Sequence, residues 1–474
     1  MDNTRIALDQ RPHVVIVGGG FGGTHAAHAL RNAAVSVTVI DRTNHSIFHP
    51  LLDQVASAGL SSDEIAVPIR FLLRRQRNSD VMMAEVTAVD VQQRRVQMGT
   101  RQLSYDYLVL ATGSHYNYFG HADWPRFALS LKTTADAVRI RRRILQAFEQ
   151  AELEMDLDSV QALLTFVMIG AGPTGVEMSG ALSELARFAL VREYRHVDTL
   201  KARIVLLEAG PRILPAFTEG LARKAEKELE RMGVEVRTQA AVTEIDGLGV
   251  IVNGSERIRS QNVIWTAGVR GTPLGQSLGV ETDRLGRVKV LPDLSIPGHP
   301  EVFVIGDLMV IEHNGKSFSP GLAPVAVQQG QYVGRLITRR VSGESDPDPF
   351  RYRDKGSLAT IGRAFAVADF GGKLKFSGWF AWVLWSTVHI FYLASLWNRI
   401  QVFATWIWAY FTYQRGVRIL TPDSLDLEGM NGTPPVVQNK QGAEAEAQKP
   451  ETVHSFLRSG RKPSESSLSS KKWK

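Results

Sequence analysis

The chain has 474 residues, 55 lysines and arginines against 48 aspartates and glutamates, a formal charge of +7, and no cysteine. That length allows two or three domains of ordinary size, each with its own core. Without a thiol there is no structural disulfide, no iron–sulfur cluster on the chain's own cysteines and no redox-active cysteine pair. Disulfide reductases, sulfide-oxidising flavoproteins and cysteine peroxidases are therefore excluded together. The basic residues do not gather into one run with interleaved aromatics, which argues against nucleic acid and leaves an anionic membrane surface open as a partner. No metal site is read in the chain.

From Met1 to Pro12 there are two acids, Asp2 and Asp9, and no apolar run. No secretory signal fits there, so the functional sites are expected on the cytoplasmic side. The first strand then begins near His13. Val14–Val17 leads into Gly18-Gly-Gly20-Phe-Gly-Gly23, a helix is expected across Thr24–Arg31, and Val35–Asp41 closes a βαβ unit on a carboxylate. The pattern returns at Phe166–Ile169, Gly170-Ala-Gly172-Pro-Thr174-Gly175 and Ile204–Glu208. One such fingerprint also reads as a tight turn; two, each in strand-then-helix context, point to two bound dinucleotides. The first glycine permits the turn, the second lets backbone N–H groups reach a pyrophosphate, and the third lets helix pack on strand. Asp41 and Glu208 stand where a carboxylate accepts from adenosine ribose hydroxyls, and Glu208 would repel a 2′-phosphate, which favours NADH over NADPH.

Three further markers follow in order. Tyr107-Leu-Val-Leu-Ala-Thr112-Gly113 is a buried strand running into a glycine turn, Val263-Ile-Trp-Thr-Ala-Gly268 is its cousin, and Val302-Phe-Val-Ile-Gly-Asp307 ends a strand on Gly-Asp. After the polar loop Gly343–Phe350 the composition changes. Six of the nine tryptophans fall between residues 376 and 418, and no fixed charge occurs over the 23 residues from Phe376 to Asn398. That stretch is long enough to span a bilayer. Its aromatics are spread throughout instead of forming two belts, which favours an interfacial helix pair broken near Asn398 and Arg399 over a span or a core helix. Beyond residue 421 the composition is polar, and disorder is expected.

The order of these markers over about residues 13 to 340 resembles that of flavoproteins with two dinucleotide-binding domains. The resemblance implies that the Ala-Thr-Gly and Thr-Ala-Gly turns mark chain crossings between domains, and that Asp307 holds the ribityl chain of FAD. More closely, residues 13 to 420 resemble the type II NADH dehydrogenases, single-subunit NADH:quinone oxidoreductases of the membrane surface. The matches are Phe48-His49-Pro-Leu-Leu-Asp-Gln54-Val-Ala-Ser-Ala-Gly-Leu60, Gly170–Glu177, Gly321–Gly330 and Asp354–Gly362.

The resemblance implies FAD at Gly18, Gly20, Gly23, Asp41, His49, Gln54, Thr112, Gly113, Asp307 and Ala323, and NADH at Gly170, Gly172, Thr174, Gly175, Glu208 and Gly268. It places Glu177 at the reaction centre as a proton relay and Lys355 as an electrostatic stabiliser of reduced flavin. The segment from 321 to 330 aligns with the family's quinone motif, in which Pro324 replaces the first glutamine. Either Gln328, Gln329 or a backbone N–H would then substitute for it, or quinone binding is altered. From its place within the aromatic stretch, and not from the resemblance, His389 is expected to donate to a quinone carbonyl.

The expected fold is α/β, with two Rossmann-like dinucleotide-binding domains and a C-terminal membrane-associating helical segment. An FAD domain is split between 1–115 and 270–345, an NADH domain occupies 116–269, a membrane-associating domain 346–420, and a polar tail 421–474. The expected activity is non-proton-pumping NADH oxidation with electron transfer to ubiquinone or menaquinone, on a homodimer bound peripherally to the cytoplasmic face of the inner membrane. A soluble reductase for a ferredoxin-like protein and an NADH-responsive flavin sensor are the alternatives.

Overall fold

The computed structural model describes residues 11–313, 316–318 and 321–420; the expected tail at 421–474 lies outside the described residues. Val14, Val15 and Ile16 have no exposure, as the lack of polar alternation requires of a strand covered on both faces. This strand, His13–Val17, is at the centre of a six-stranded sheet. The order across it is Ser295–Ile296, His299–Val304, Tyr107–Leu110, His13–Val17, Ser36–Asp41 and Ser79–Met83. Every pairing except that of the first two strands is parallel, with Val14 opposite Val37 and Tyr107. One sheet thus draws strands from both ends of the sequence.

The second sheet is parallel throughout, in the order Ala128–Ser130, Asn262–Trp265, Thr165–Ile169, Arg203–Leu207 and Val234–Arg237. Its five central residues Thr165–Ile169 are all buried. The chain passes between the sheets twice, and the two passages, Ser114–Tyr116 and Val269–Gly271, pair antiparallel. In each βαβ unit the helix begins just after the glycine turn, at Phe21–Ala29 and Pro173–Glu184.

The C-terminal part opens with an antiparallel sheet that the composition did not reveal: Ser357–Thr360, Ala366–Phe370 and Leu374–Gly378. Two helices follow, Trp379–Tyr392 and Leu396–Thr412. The uncharged stretch is therefore part strand and part helix, and no helix among the described residues is long and apolar enough to cross a membrane. The break falls at Leu393–Ser395, earlier than expected. Asn398 and Arg399 are helical because they fasten the break: Asn398 Nδ2 donates to the carbonyls of Asp63 and Glu64 at 2.8 Å, and Arg399 Nε donates to Leu393 O at 2.9 Å. One face of the pair, with Ala381, Trp385, Leu393 and Val402, joins the largest apolar core. The opposite face leaves Trp397, Phe403, Trp408 and Phe411 more than half exposed.

Candidate active site

Each fingerprint turn opens at the C-terminal end of its sheet, where such folds bind ligands. Gly18 and Gly170 adopt φ of +106° and +102°, which lets the chain reverse directly from strand to helix. A Cβ on Gly23 would lie 1.8 Å from Gly18 O, and one on Gly175 2.0 Å from Gly170 O. These third glycines serve helix–strand packing and do not face the ligand space. Neither helix has an acidic residue in its first turn, so its free N–H groups remain available to an anion.

A single cleft of about 2690 Å³ runs from the first fingerprint to the C-terminal helices. Gly18, Gly20, Asp41, Thr112, Gly113, His49, Asp307 and Ala323 line it. Asp41 is fixed by Gly19 N and Thr43 N, each at 2.7 Å. Asp307 accepts from Ser114 Oγ at 2.8 Å and pairs with Lys132 Nζ at 3.5 Å, and Lys132 also donates to Ser114 at 2.9 Å. His49 opens onto the cleft; desolvation there, then the Lys132 charge, pushes its pKa down to about 4. A helix N-terminus, a strand-end carboxylate and a polar floor along one long cleft fit FAD.

Gln54 does not join this set. Its Oε1 accepts from Trp406 Nε1 at 2.7 Å, so it ties the last helix to the body and stands outside the cleft wall. Trp406 lies 352 positions away in sequence, and no local pattern announces it.

From the second fingerprint, Pro173, Thr174 and Glu177 reach the same cleft, whereas Gly170, Gly172, Gly175, Glu208 and Gly268 do not line it. Glu208 accepts from Ala171 N and Gly210 N, both at 2.8 Å, and so holds the turn itself. The helix Pro173–Glu184 carries Glu177 toward the cleft, where Oε1 accepts from Thr360 N at 3.1 Å. Burial, and after it the nearby Asp53 carboxylate, holds the Glu177 pKa well above the ordinary carboxylate range. Asp53 also lines the cleft; burial raises its pKa to about 7 although the Arg415 charge opposes this. Sequence reasoning passed over Asp53, whose one signal was a charge inside the apolar run Leu51–Ala56. It also passed over Lys132 and Arg415, each of which acquires its partners only in three dimensions.

The expected quinone contacts need correction. Pro324 lines the cleft in the first turn of the helix Ala323–Val341, where a missing N–H costs nothing, but it offers no polar atom. Gln328 lines the cleft with both amide atoms engaged: Nε2 donates to Arg353 O at 2.9 Å and Oε1 accepts from Arg353 N at 3.0 Å. Gln329 has no exposure, does not line the cleft, and accepts from Gly306 N at 2.7 Å. Its role is to fix the turn before Asp307.

His389 does line the cleft, stacked on Trp385 at 4.2 Å. Its Nδ1 lies 2.7 Å from Trp385 O. Only a protonated nitrogen satisfies that carbonyl, which leaves Nε2 as an acceptor in the neutral ring. Burial lowers the His389 pKa to about 4, so the expected donor to quinone is an acceptor at neutral pH. Lys355 and Tyr392 complete this end of the cleft.

Two nucleotide folds that meet at one cleft define a pyridine-nucleotide flavoprotein oxidoreductase. Residues 12–330 match the pyridine nucleotide-disulphide oxidoreductase family, and residues 355–413 match the NDH2 C-terminal domain. The type II NADH:quinone oxidoreductases Ndh and NdhA of Mycobacterium tuberculosis are each 42% identical to the chain, over 87% and 88% of it and over 91% and 90% of their own lengths. The chain belongs to the type II NADH:quinone oxidoreductase family. Its fold is also that of NDH2 from Plasmodium falciparum, solved in complex with NADH, with a TM-score of 0.78 and 22% identity over 86% of this chain and all of that one. The sulfide:quinone oxidoreductase of Aquifex aeolicus follows at 0.68 and 19% identity, covering 86% of this chain and 96% of that one. With no cysteine, this chain has the disulphide-reductase fold without disulphide chemistry.

Proposed function

We propose that this enzyme oxidises NADH through bound FAD and reduces a membrane quinone, without pumping protons. The observation that carries the reading is the continuity of the cleft from the first fingerprint, past Thr174 and Glu177, to His389 and Tyr392 on a helix whose outer face is aromatic. Bound FAD supplies the two-electron relay between nicotinamide and quinone. The chain's residues supply orientation, charge and protons. Thr174 and Glu177 meet the reacting end of NADH, while Glu208, closing the second fingerprint, disfavours a 2′-phosphate. The N-terminus of the helix Ala323–Val341, uncapped by any acid, and Lys355 favour negative charge on the flavin ring. Lys132 and Asp307 fix the ribityl end.

Quinone enters between Pro324, His389 and Tyr392, with His389 Nε2 accepting from the hydroxyl of the quinol product. The exposed aromatic face sits in the headgroup layer of the membrane's cytoplasmic side, and the working form is a homodimer. The division into a split FAD domain (1–115 and 270–345), an NADH domain (116–269) and a membrane-associating domain (346–420) belongs to the same proposal.

Anaerobic stopped-flow spectroscopy on detergent-purified protein tests this reading. NADH bleaches the flavin, and a ubiquinone or menaquinone analogue restores its colour rapidly. Bleaching with no recovery by quinone, or recovery with ferredoxin alone, overturns the acceptor.

A further inference from the structure

Quinone reduction balances as NADH + H⁺ + quinone → NAD⁺ + quinol. Two electrons and one proton come from NADH, and the second proton must come from the protein side. The aqueous store of that proton is not evident from Glu177 alone, because a lone buried carboxyl that donates once must be refilled across its own desolvated surroundings.

Glu177 is not alone. The short helix Leu52–Ala56 packs on the helix Pro173–Glu184, and Asp53 and Glu177 both reach the cleft wall. Asp53 is 5% exposed. Its carboxylate is met by the Gln54 N–H and, at longer range, by the guanidinium of Arg415. Arg415 is already shared: Nη2 pairs with Glu184 at 3.2 Å and Nη1 donates to Ser57 O at 2.7 Å. Two carboxyls, Glu184 and Asp53, thus share one guanidinium in an apolar setting. Among the described residues no cation acts on Glu177 directly.

The remaining neighbours do not change this balance. The helix Thr134–Leu153 brings Ala137, Ile140 and Ile144 to the same core, and the helix Trp379–Tyr392 brings neutral His389 and Trp385. His49, just before Asp53 in the chain, is likewise held neutral by desolvation. Arg363 spends its guanidinium on the carbonyls of Ala409 and Tyr410.

Two buried polar side chains belong to the same elements. Trp385 Nε1 is buried and directed at Glu177, where a donor favours the ionised carboxylate and so opposes the effect of burial. Ser57 Oγ, one turn beyond Asp53 on a residue 1% exposed, has no partner. Two buried carboxyls on packed helices, with the guanidinium near one of them already engaged by Glu184, are the setting in which two carboxyls retain one proton between them.

We propose that Asp53 and Glu177 act as one proton-sharing pair at the quinone end of the cleft, and that this pair, not Glu177 alone, donates the proton that completes the quinol. The step breaks one carboxyl O–H bond and forms one quinol O–H bond. The pair is refilled by one proton from the aqueous phase, while NADH supplies both electrons. This rests on the quinone-reductase reading above.

The test is the pH dependence of quinone reduction by the full-length, FAD-loaded enzyme, with Asp53→Asn as the variant. In the wild type the oxidative half-reaction falls as pH rises through the titration of the pair. In the variant Glu177 loses its like-charged neighbour, so the midpoint moves acidward by about one pH unit and turnover at about pH 8 drops at least about tenfold. An unmoved midpoint overturns the proposal and makes Asp53 a packing residue.

If Asp53→Asn does not fold, infrared difference spectra of wild-type enzyme with ¹³C-labelled aspartate decide instead. An aspartic acid carbonyl band present at neutral pH and lost in alkali supports the pair; its absence at neutral pH refutes it. A wild type that fails to reduce any quinone refutes the functional reading itself, a result distinct from either of these.

Discussion

Replacing Arg415 with Met removes a side chain of similar reach together with its charge and both hydrogen bonds. In the native protein Arg415 and Glu184 are 10% and 14% exposed and 3.2 Å apart. Glu184 Oε1 also accepts from Arg363 N at 2.8 Å. Removing one partner from a pair this buried costs about 3–5 kcal/mol, because the other charge remains without its counter-ion. Arg415 follows directly on the helix Leu396–Thr412, so the loss is felt first in local opening of that helix. An opening free energy lowered by about 3 kcal/mol makes amide exchange there about 10²-fold faster. Mass-spectrometric hydrogen exchange over Leu396–Thr412 measures it. The increase should be smaller below about pH 7, where Asp53 takes up a proton and no longer draws on the guanidinium. Wild-type exchange rates in Arg415→Met at about pH 8 would refute the claim that this pair latches the C-terminal segment.

Three other outcomes are expected. Gly175→Ala places a methyl 2.0 Å from Gly170 O and 2.8 Å from Thr266 Oγ1, so the variant loses about 1–3 kcal/mol in denaturant unfolding and its KM for NADH rises while quinone affinity is retained. Trp397→Glu with Phe411→Glu changes side chains 64% and 77% exposed; sedimentation with anionic liposomes should show lost binding at unchanged thermal stability, and retained binding would reject the aromatic face as the anchor. Asp53 has its folded-state pKa raised from 3.8 to about 7, so the native state keeps a proton that the unfolded chain has released. Stability contributed this way is present below about pH 4 and lost as pH rises to about 7, at up to about 1.4 kcal/mol per pH unit; urea titrations of Asp53→Asn should show that decline removed.

The two nucleotide folds could be read from the chain because their information is local. A strand, a glycine turn and a helix lie within some thirty residues, and each glycine is required by a clash or a dihedral that arises inside that span. Asp307, Glu177 and His389 were legible for a similar reason, through short motifs or an unusual local composition. Gln54 and Gln329 do not line the cleft, because a motif records that a residue is needed without recording which way it faces. Gln54 turns to Trp406 and Gln329 to Gly306 N, and both bonds are made across long stretches of sequence. His389 lines the cleft, and its hydrogen-bond role was not legible, since the tautomer follows from the Trp385 carbonyl one turn back.

Asp53 and Arg415 show why the C-terminal segment is more than an anchor. Arg415 reaches Ser57 from 358 positions away. The same segment brings His389 and Tyr392 to the cleft, Trp406 to Gln54, and Thr405 Oγ1 to Glu64 at 2.8 Å. Its inner face therefore builds one end of the cleft wall while its outer face presents the exposed aromatics. A contact that tilts this helix pair on a lipid surface acts on the same side chains that set the charge balance around Asp53 and Glu177. Membrane engagement and proton delivery are then coupled through packing. On this reasoning, liposome binding shifts the pH midpoint of quinone reduction in the wild type and leaves it unshifted in Arg415→Met, a pair of measurements that separates coupling from mere proximity.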